Sequence, residues 1–157
     1  EQLKKLDKLN SLRMELVEYL QYEIKNFEFL KPITNRFNCT STFYVFPIKF
    51  QTNFINLNRN EFVKTVNAEG ISFYQGYVRP LYLQPLYQQK HLFKKSMPFS
   101  SEKNKNCKMN YKKGICPNAE KLHFEEMIIN EHIRPPHKIS DINDIIKSIK
   151  KVLNYKC

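Results

Sequence analysis

The sequence predicts an α+β domain, a small antiparallel-type sheet covered by helices. Three observations carry that reading. Segments at both ends of the chain repeat apolar residues at threes and fours, the period of an amphipathic helix. Between them lie short runs that are β-branched and aromatic. The length, 157 residues with 41% hydrophobic side chains, suffices for one core of its own.

Residues 1 to about 26 read as one helix, because Leu3, Leu6, Leu9, Leu12, Leu16, Val17, Leu20 and Ile24 share a face. That helix starts without a capping residue, which implies that sequence precedes Glu1. Pro32 breaks the pattern. The run "STFYVFPIKF", 41–50, reads as a strand, with Pro47 placing it at an edge or marking its end. Residues 58–70 read as a short helix, capped by Asn58 and closed by Gly70. Ile71 to Tyr74 reads as a second strand, whose alternation puts one of Phe73 and Tyr74 in the core. Residues 88 to about 115 hold eight lysines against one acid, Glu102, and read as an insertion or loop. Pro117 suits the first turn of a helix running to about Ile129, where Glu120 caps or pairs locally. Ser140 caps a last helix with a stripe of Ile142, Ile145, Ile146, Ile149, Val152 and Leu153. Burying six such side chains contributes on the order of 10 kcal/mol. Ordering the segment costs a similar amount, so the helix needs a sheet to dock on.

The net charge is +11, which raises the question of a nucleic-acid partner. The bases are mostly lysines spread along the chain, and no nucleic-acid-binding signature accompanies them, so no nucleic acid is expected. No apolar run is long enough to span a bilayer and no signal-like segment is present, so the expectation is a cytoplasmic chain without a membrane partner. Cys39, Cys107, Cys116 and Cys157 lack a CxxC spacing and read as free thiols. His91, His123, His132 and His137 show no ligand spacing, so no metal is expected. His132 and His137, beside a Pro-Pro turn, read as surface residues.

The densest feature is "GISFYQGYVRPLYLQPLY", 70–87, with two of the chain's three glycines, two prolines and four tyrosines. It resembles a signature in the C-terminal part of the DegT/StrS-type sugar aminotransferases, which are pyridoxal-phosphate enzymes of the aspartate-aminotransferase fold (fold type I). The matching residues are Gly70, Ile71, Tyr77, Pro80, Leu81 and Tyr82, closed by Pro85 and Tyr87. Three further stretches agree in the family's order. "EQLKKLDKLNSLR", 1–13, resembles the helix leading out of the large domain. "CPNAEKL", 116–122, resembles the Cys-Pro-x-Ala-Glu block, and "ISDINDIIKSIKKVL", 139–153, resembles the closing helix. Many members carry His where this chain has Gly76 and Tyr82. The form "GYxxPLY" looks nearer to members that aminate keto-cyclitols than to typical nucleotide-sugar enzymes.

The resemblance implies that residues 1–157 are a C-terminal small domain, with 1–26 as a linking helix and the pyridoxal 5'-phosphate-binding large domain upstream. It implies an amino transfer from glutamate or glutamine to a keto-sugar or keto-cyclitol, in a homodimer. Substrate-binding residues are then Tyr77, Arg79 and Tyr82. The tyrosines hydrogen-bond ring hydroxyls, and Arg79 meets a phosphate or a donor carboxylate. No catalytic, cofactor-binding or metal residue is expected: Gly70, Gly76 and Gly114 are isolated, and no lysine sits in the family's cofactor context. The chain alone is expected to be inactive. The competing readings are a basic nucleic-acid-binding module and a non-catalytic sugar-binding paralogue.

Overall fold

The computed structural model describes residues 1–89, 101–104, 106 and 110–156. Most of the Lys-rich segment, together with His91, Cys107 and Cys157, lies outside them. Five α-helices, α1 (Leu6–Ile24), α2 (Arg59–Ala68), α3 (Pro85–Gln89), α4 (Pro117–Lys121) and α5 (Ile139–Lys156), accompany four strands among these residues. The strands are β1 (Leu30–Pro32), β2 (Phe46–Phe50), β3 (Tyr74–Gln75) and β4 (Met127–Asn130). They form one sheet in the order β1-β2-β4-β3. Every neighbouring pair is antiparallel, with Leu30 opposite Phe50, Ile48 opposite Ile128 and Tyr74 opposite Ile129. The α+β expectation therefore holds.

One core joins the sheet to α1, α2 and α5. Phe46, Ile48 and Phe50 of β2 and Ile128 of β4 are buried together with Val17, Leu20 and Ile24 of α1. From α5 come Ile142, Ile145, Ile146, Ile149 and Val152, five of the six stripe residues, while Leu153 packs at the margin. Phe29, Phe50 and Phe62 meet ring to ring at 5.3–5.7 Å, geometry that adds to their area burial. The Tyr19 hydroxyl donates to Asn143 at 2.7 Å and joins α1 to α5. The first half of the α1 stripe is different: Leu3, Leu6, Leu9 and Leu12 are exposed.

The boundaries depart from the expected ones for local reasons. The strand expected over 41–50 starts at Phe46, because Phe43 takes a left-handed φ of 49° that no strand tolerates. β2 is a central strand, not an edge; β1 reaches only to Ile48, so Pro47 has a paired neighbour on one side alone. The strand expected over 71–74 is confined to Tyr74–Gln75. The Asn67 side chain takes both backbone groups of Phe73, accepting from its N–H at 2.8 Å and donating to its carbonyl at 2.9 Å. That pairing substitutes for a ladder. Phe73 is the buried partner and Tyr74 the exposed one.

The helix expected from Pro117 to about Ile129 is a correction. It stops at Lys121, passes through a π-helical turn, Leu122–Glu126, and becomes β4. α2 matches its expectation, with a reciprocal capping box between Asn58 and Glu61. α5 begins at Ile139, so Ser140 lies inside the first turn; the Asp141 carboxylate instead accepts from the Lys138 N–H at 2.6 Å. Cys39 and Cys116 are free thiols. No helix among the described residues is long and apolar enough to cross a membrane.

Candidate functional site

The aromatic run forms a rigid turn held against the end of the π-helical segment. Gly76 is its pivot. Its N–H donates to the Met127 carbonyl at 2.7 Å, and its φ of 68° is one that favours glycine. A Cβ there would stand 2.7 Å from the His123 carbonyl oxygen and 2.8 Å from its Nδ1. After Gly76, Tyr77, Val78 and Arg79 are exposed. Leu81–Leu83 make a 3-10 turn, in which the Leu83 N–H donates to the Pro80 carbonyl at 2.8 Å. Leu83 alone of these points into the protein, while Leu81 stays 67% exposed. The Gln84 amide donates to the Arg79 carbonyl at 3.1 Å and braces the outer bend.

Beneath the turn sits Arg59, the first residue of α2 and only 5% exposed. Its guanidinium donates to the carbonyls of His123 (2.7 Å), Phe124 (2.7 Å) and Met127 (3.1 Å). Asn60 Oδ1 orients it from the other side, accepting from Nε at 3.0 Å and Nη2 at 2.8 Å. A guanidinium thus closes the carbonyl end of the π-helical turn, where the dipole is negative and acceptors lack partners. His123 lies between this cation and Gly76. Burial first, then the charges of Arg59 and Arg79, hold its imidazole below the ordinary histidine value. Its Nδ1 is buried with no hydrogen-bond partner among the described residues.

The predicted site residues go to different partners. Tyr77 is exposed; the neighbouring Tyr44 hydroxyl, ahead of burial, raises the Tyr77 phenol above its ordinary value. Arg79 is exposed, with no side-chain hydrogen bond described. Tyr82 is half-buried and donates its hydroxyl proton to Glu120 Oε1. The same oxygen accepts from the Gly114 N–H at 2.6 Å. Glu120 is 7% exposed, and the Tyr82 hydroxyl, then the Gly114 N–H, keep its carboxyl below the usual carboxylate range. Burial and this bond push the Tyr82 phenol up to about 12. Gln88 Nε2 donates to the carbonyls of both Tyr82 and Tyr111 at 2.7 Å, and the Tyr87 and Tyr111 rings meet at 5.4 Å. Both ends of the Lys-rich segment are therefore fixed beside the turn.

Sequence reading singled out the tyrosines and took Glu120 for a local residue; it missed Arg59 and His123. Proximity in space, not spacing along the chain, assembles these groups. The one available signal was Gly76, whose glycine reports a close approach but not by which residue.

Of the three clefts described, none is lined by Tyr77, Arg79 or Tyr82. The one of about 320 Å³, between the end of β4 and the start of α5, carries His132, His137, Asp141 and Asp144 and no lysine. Holding pyridoxal phosphate takes a lysine, an acid for the pyridine nitrogen and a phosphate cradle in one place. In the groove beside α2, Lys64 is accompanied by Glu61, whose carboxylate already accepts from the Asn58 N–H, and no glycine lines it. Gly70 and Gly114 face open space, and the space over Gly76 is filled by His123. The third cleft brings Lys138 near Glu15 but is lined by no glycine, so none of the three described clefts gathers the whole set. Nor do any three His, Cys, Asp or Glu among the described residues group to hold a metal.

The family model of the DegT/DnrJ/EryC1/StrS aminotransferase family matches residues 1–150. No curated protein matches the sequence. Among solved structures, the chain is similar to S. venezuelae DesV in complex with a ketimine intermediate, at a TM-score of 0.71 and 16% identity, over 96% of this chain and 33% of that one. It is also similar to the aminotransferase TlmJ from Streptoalloteichus hindustanus, at 0.70 and 17%, over 98% and 34% respectively. Helicobacter pylori PseC, an aminotransferase involved in pseudoaminic acid biosynthesis, is similar at 0.67 and 19%, over 98% and 35%. The chain spans about one third of the length of each of these proteins.

Proposed function

Because the chain belongs to the DegT/DnrJ/EryC1/StrS aminotransferase family, we propose that it is the C-terminal small domain of a pyridoxal-phosphate-dependent aminotransferase. Residues 1–157 make up that domain, with α1 as the linking helix and a cofactor-binding large domain as its partner. The reaction moves an amino group from glutamate or glutamine to a keto-sugar or keto-cyclitol, in a homodimer in the cytoplasm. The cofactor supplies the electron sink for the transfer. This chain supplies a wall.

One observation carries the reading. The aromatic turn faces outward, outside all three described clefts, carrying Tyr77, Val78, Arg79 and Leu81 on open surface. A segment braced at Gly76, Gln84 and Gln88 loses little ordering entropy when a surface or ligand closes on it. Tyr77 then offers its hydroxyl and a flat apolar face to a ring substrate. Arg79 offers a planar fork to a phosphate or carboxylate. The exposed Leu3, Leu6, Leu9 and Leu12 of α1 give a second apolar surface that a partner domain would cover.

Borohydride reduction of the chain mixed with pyridoxal phosphate tests the division of labour. The expected result is no stoichiometric labelling at a single lysine. One fully labelled lysine within residues 1–157 would overturn it. In the assembled aminotransferase, Tyr77→Phe should lower turnover about tenfold, the loss of one ligand hydrogen bond, and leave cofactor binding unchanged.

A further inference from the structure

We propose that Glu120 is a positioning residue that makes the Tyr82 hydroxyl a reader of hydrogen-bond donors, so that this part of the turn selects a polyhydroxylated or amine-bearing ring over an anionic group. The proposal rests on the reading of the turn as a substrate wall and names what that wall recognises.

The argument is one of hydrogen count. A phenol has a single O–H, and that of Tyr82 goes to Glu120 Oε1. The carboxylate has no hydrogen to return. It is 7% exposed, it accepts from the Gly114 N–H at 2.6 Å, and the Cys116 N–H and the Lys113 charge also favour its ionised form. Withdrawing the Tyr82 proton toward a ligand would leave a buried carboxylate short of a partner, at a cost well above an ordinary hydrogen bond. The Tyr82 oxygen therefore has only lone pairs to offer, with a negative charge behind it. A hydroxyl or an ammonium meets complementary chemistry there. A phosphate or carboxylate meets acceptor against acceptor. Because Tyr82, Gly114 and Glu120 come from three separate segments, the carboxylate also fixes where that oxygen stands. Arg79, three residues earlier and exposed, is left as the residue for an anionic group.

The side chains supply a clean control. Both bonds end on Oε1, so Glu120→Gln can keep an accepting oxygen in that place while it loses the charge and exchanges the other oxygen for an NH2. Glu120→Ala removes the acceptor and frees the Tyr82 proton.

Two readouts test the proposal, the first on the 157-residue chain and the second on the assembled aminotransferase, in which the partner domain closes on the turn. First, the Tyr82 ring carbon bonded to oxygen, observed with carbon-13-labelled tyrosine, should shift in Glu120→Ala and hold close to wild type in Glu120→Gln. Equal shifts in both variants, or none in either, would overturn the positioning role and leave the wall reading intact. Second, saturation-transfer NMR should compare myo-inositol with phenyl phosphate. Wild type should favour myo-inositol. Tyr82→Phe should weaken that signal about tenfold without changing the other, and Glu120→Ala should reverse the preference. A parallel loss of both signals in Glu120→Ala would show a structural role only and sink the proposal. A correct carbon shift with no Tyr82 dependence of the myo-inositol signal would remove the wall reading, and this inference with it.

Discussion

Arg59→Met should cost about 3 kcal/mol of folding stability. Three carbonyls accept from the guanidinium, but the Met127 oxygen also accepts from the Gly76 N–H at 2.7 Å, so it stays partnered. The carbonyls of His123 and Phe124 are left without a donor. Hydrogen bonds to a charged group contribute roughly 1.5–3 kcal/mol each, which gives roughly 3–6 kcal/mol for two. Part of that is offset, because methionine is spared the desolvation that a guanidinium 5% exposed undergoes. The net of about 3 kcal/mol corresponds to a melting temperature lower by roughly 6–12 °C in a chain of this size. Thermal unfolding followed by far-ultraviolet circular dichroism, with Arg59→Lys alongside, reads it out. Lysine keeps the charge but cannot span the carbonyls, so it should fall between the two. A methionine variant melting within about 2 °C of wild type would refute the claim that this cation closes the π-helical turn.

Two further outcomes follow from the same corner. Gly76→Ala combines a left-handed φ with a Cβ 2.7 Å from the His123 carbonyl, whereas Gly114→Ala meets open space and only the φ of 107°. The first should lower the urea midpoint by the equivalent of about 3 kcal/mol and the second by about 1–2; equal effects would show that the His123 contact is harmless. For pH, the lowered His123 value means that the unfolded chain binds the proton more readily. Its contribution to stability is complete above the ordinary histidine value of 6.5 and is lost as pH falls through 6.5 toward the lowered folded value. Glu120, also lowered, loses its contribution only as pH falls below the ordinary carboxylate value of 4.5. Urea midpoints measured between pH 7.5 and 5 should therefore decline in wild type and flatten in His123→Leu; an unchanged slope would place the titrating group elsewhere.

How far the sequence was legible depends on whether one element or several decide a residue's fate. α1, α2 and α5 were visible because a buried stripe repeats within one segment, and Asn58 announced its own cap. The run 122–129 was misread because Phe124, Met127 and Ile128 recur at threes and fours, while pairing with β2 and β3, which no local pattern records, makes the last part a strand. Phe43 and Asn67 moved strand ends through a single backbone angle and a single amide. Tyr77, Arg79 and Tyr82 stood out as candidates because they belong to one motif. Arg59 looked like one more surface base in a lysine-rich chain, since burial among carbonyls leaves no mark on composition. Glu120 was seen, but the pairing with Tyr82 spans 38 residues and had no signal of its own.

Gln88 deserves a last consequence. One amide grips the main chain on both sides of the basic stretch, at Tyr82 and at Tyr111, and the rings of Tyr87 and Tyr111 reinforce the grip. Exit and return are thereby spliced at a neck. Loss of that one amide, as in Gln88→Ala, would therefore release the Tyr82 and Tyr111 carbonyls together, so both sides of the neck would loosen at once.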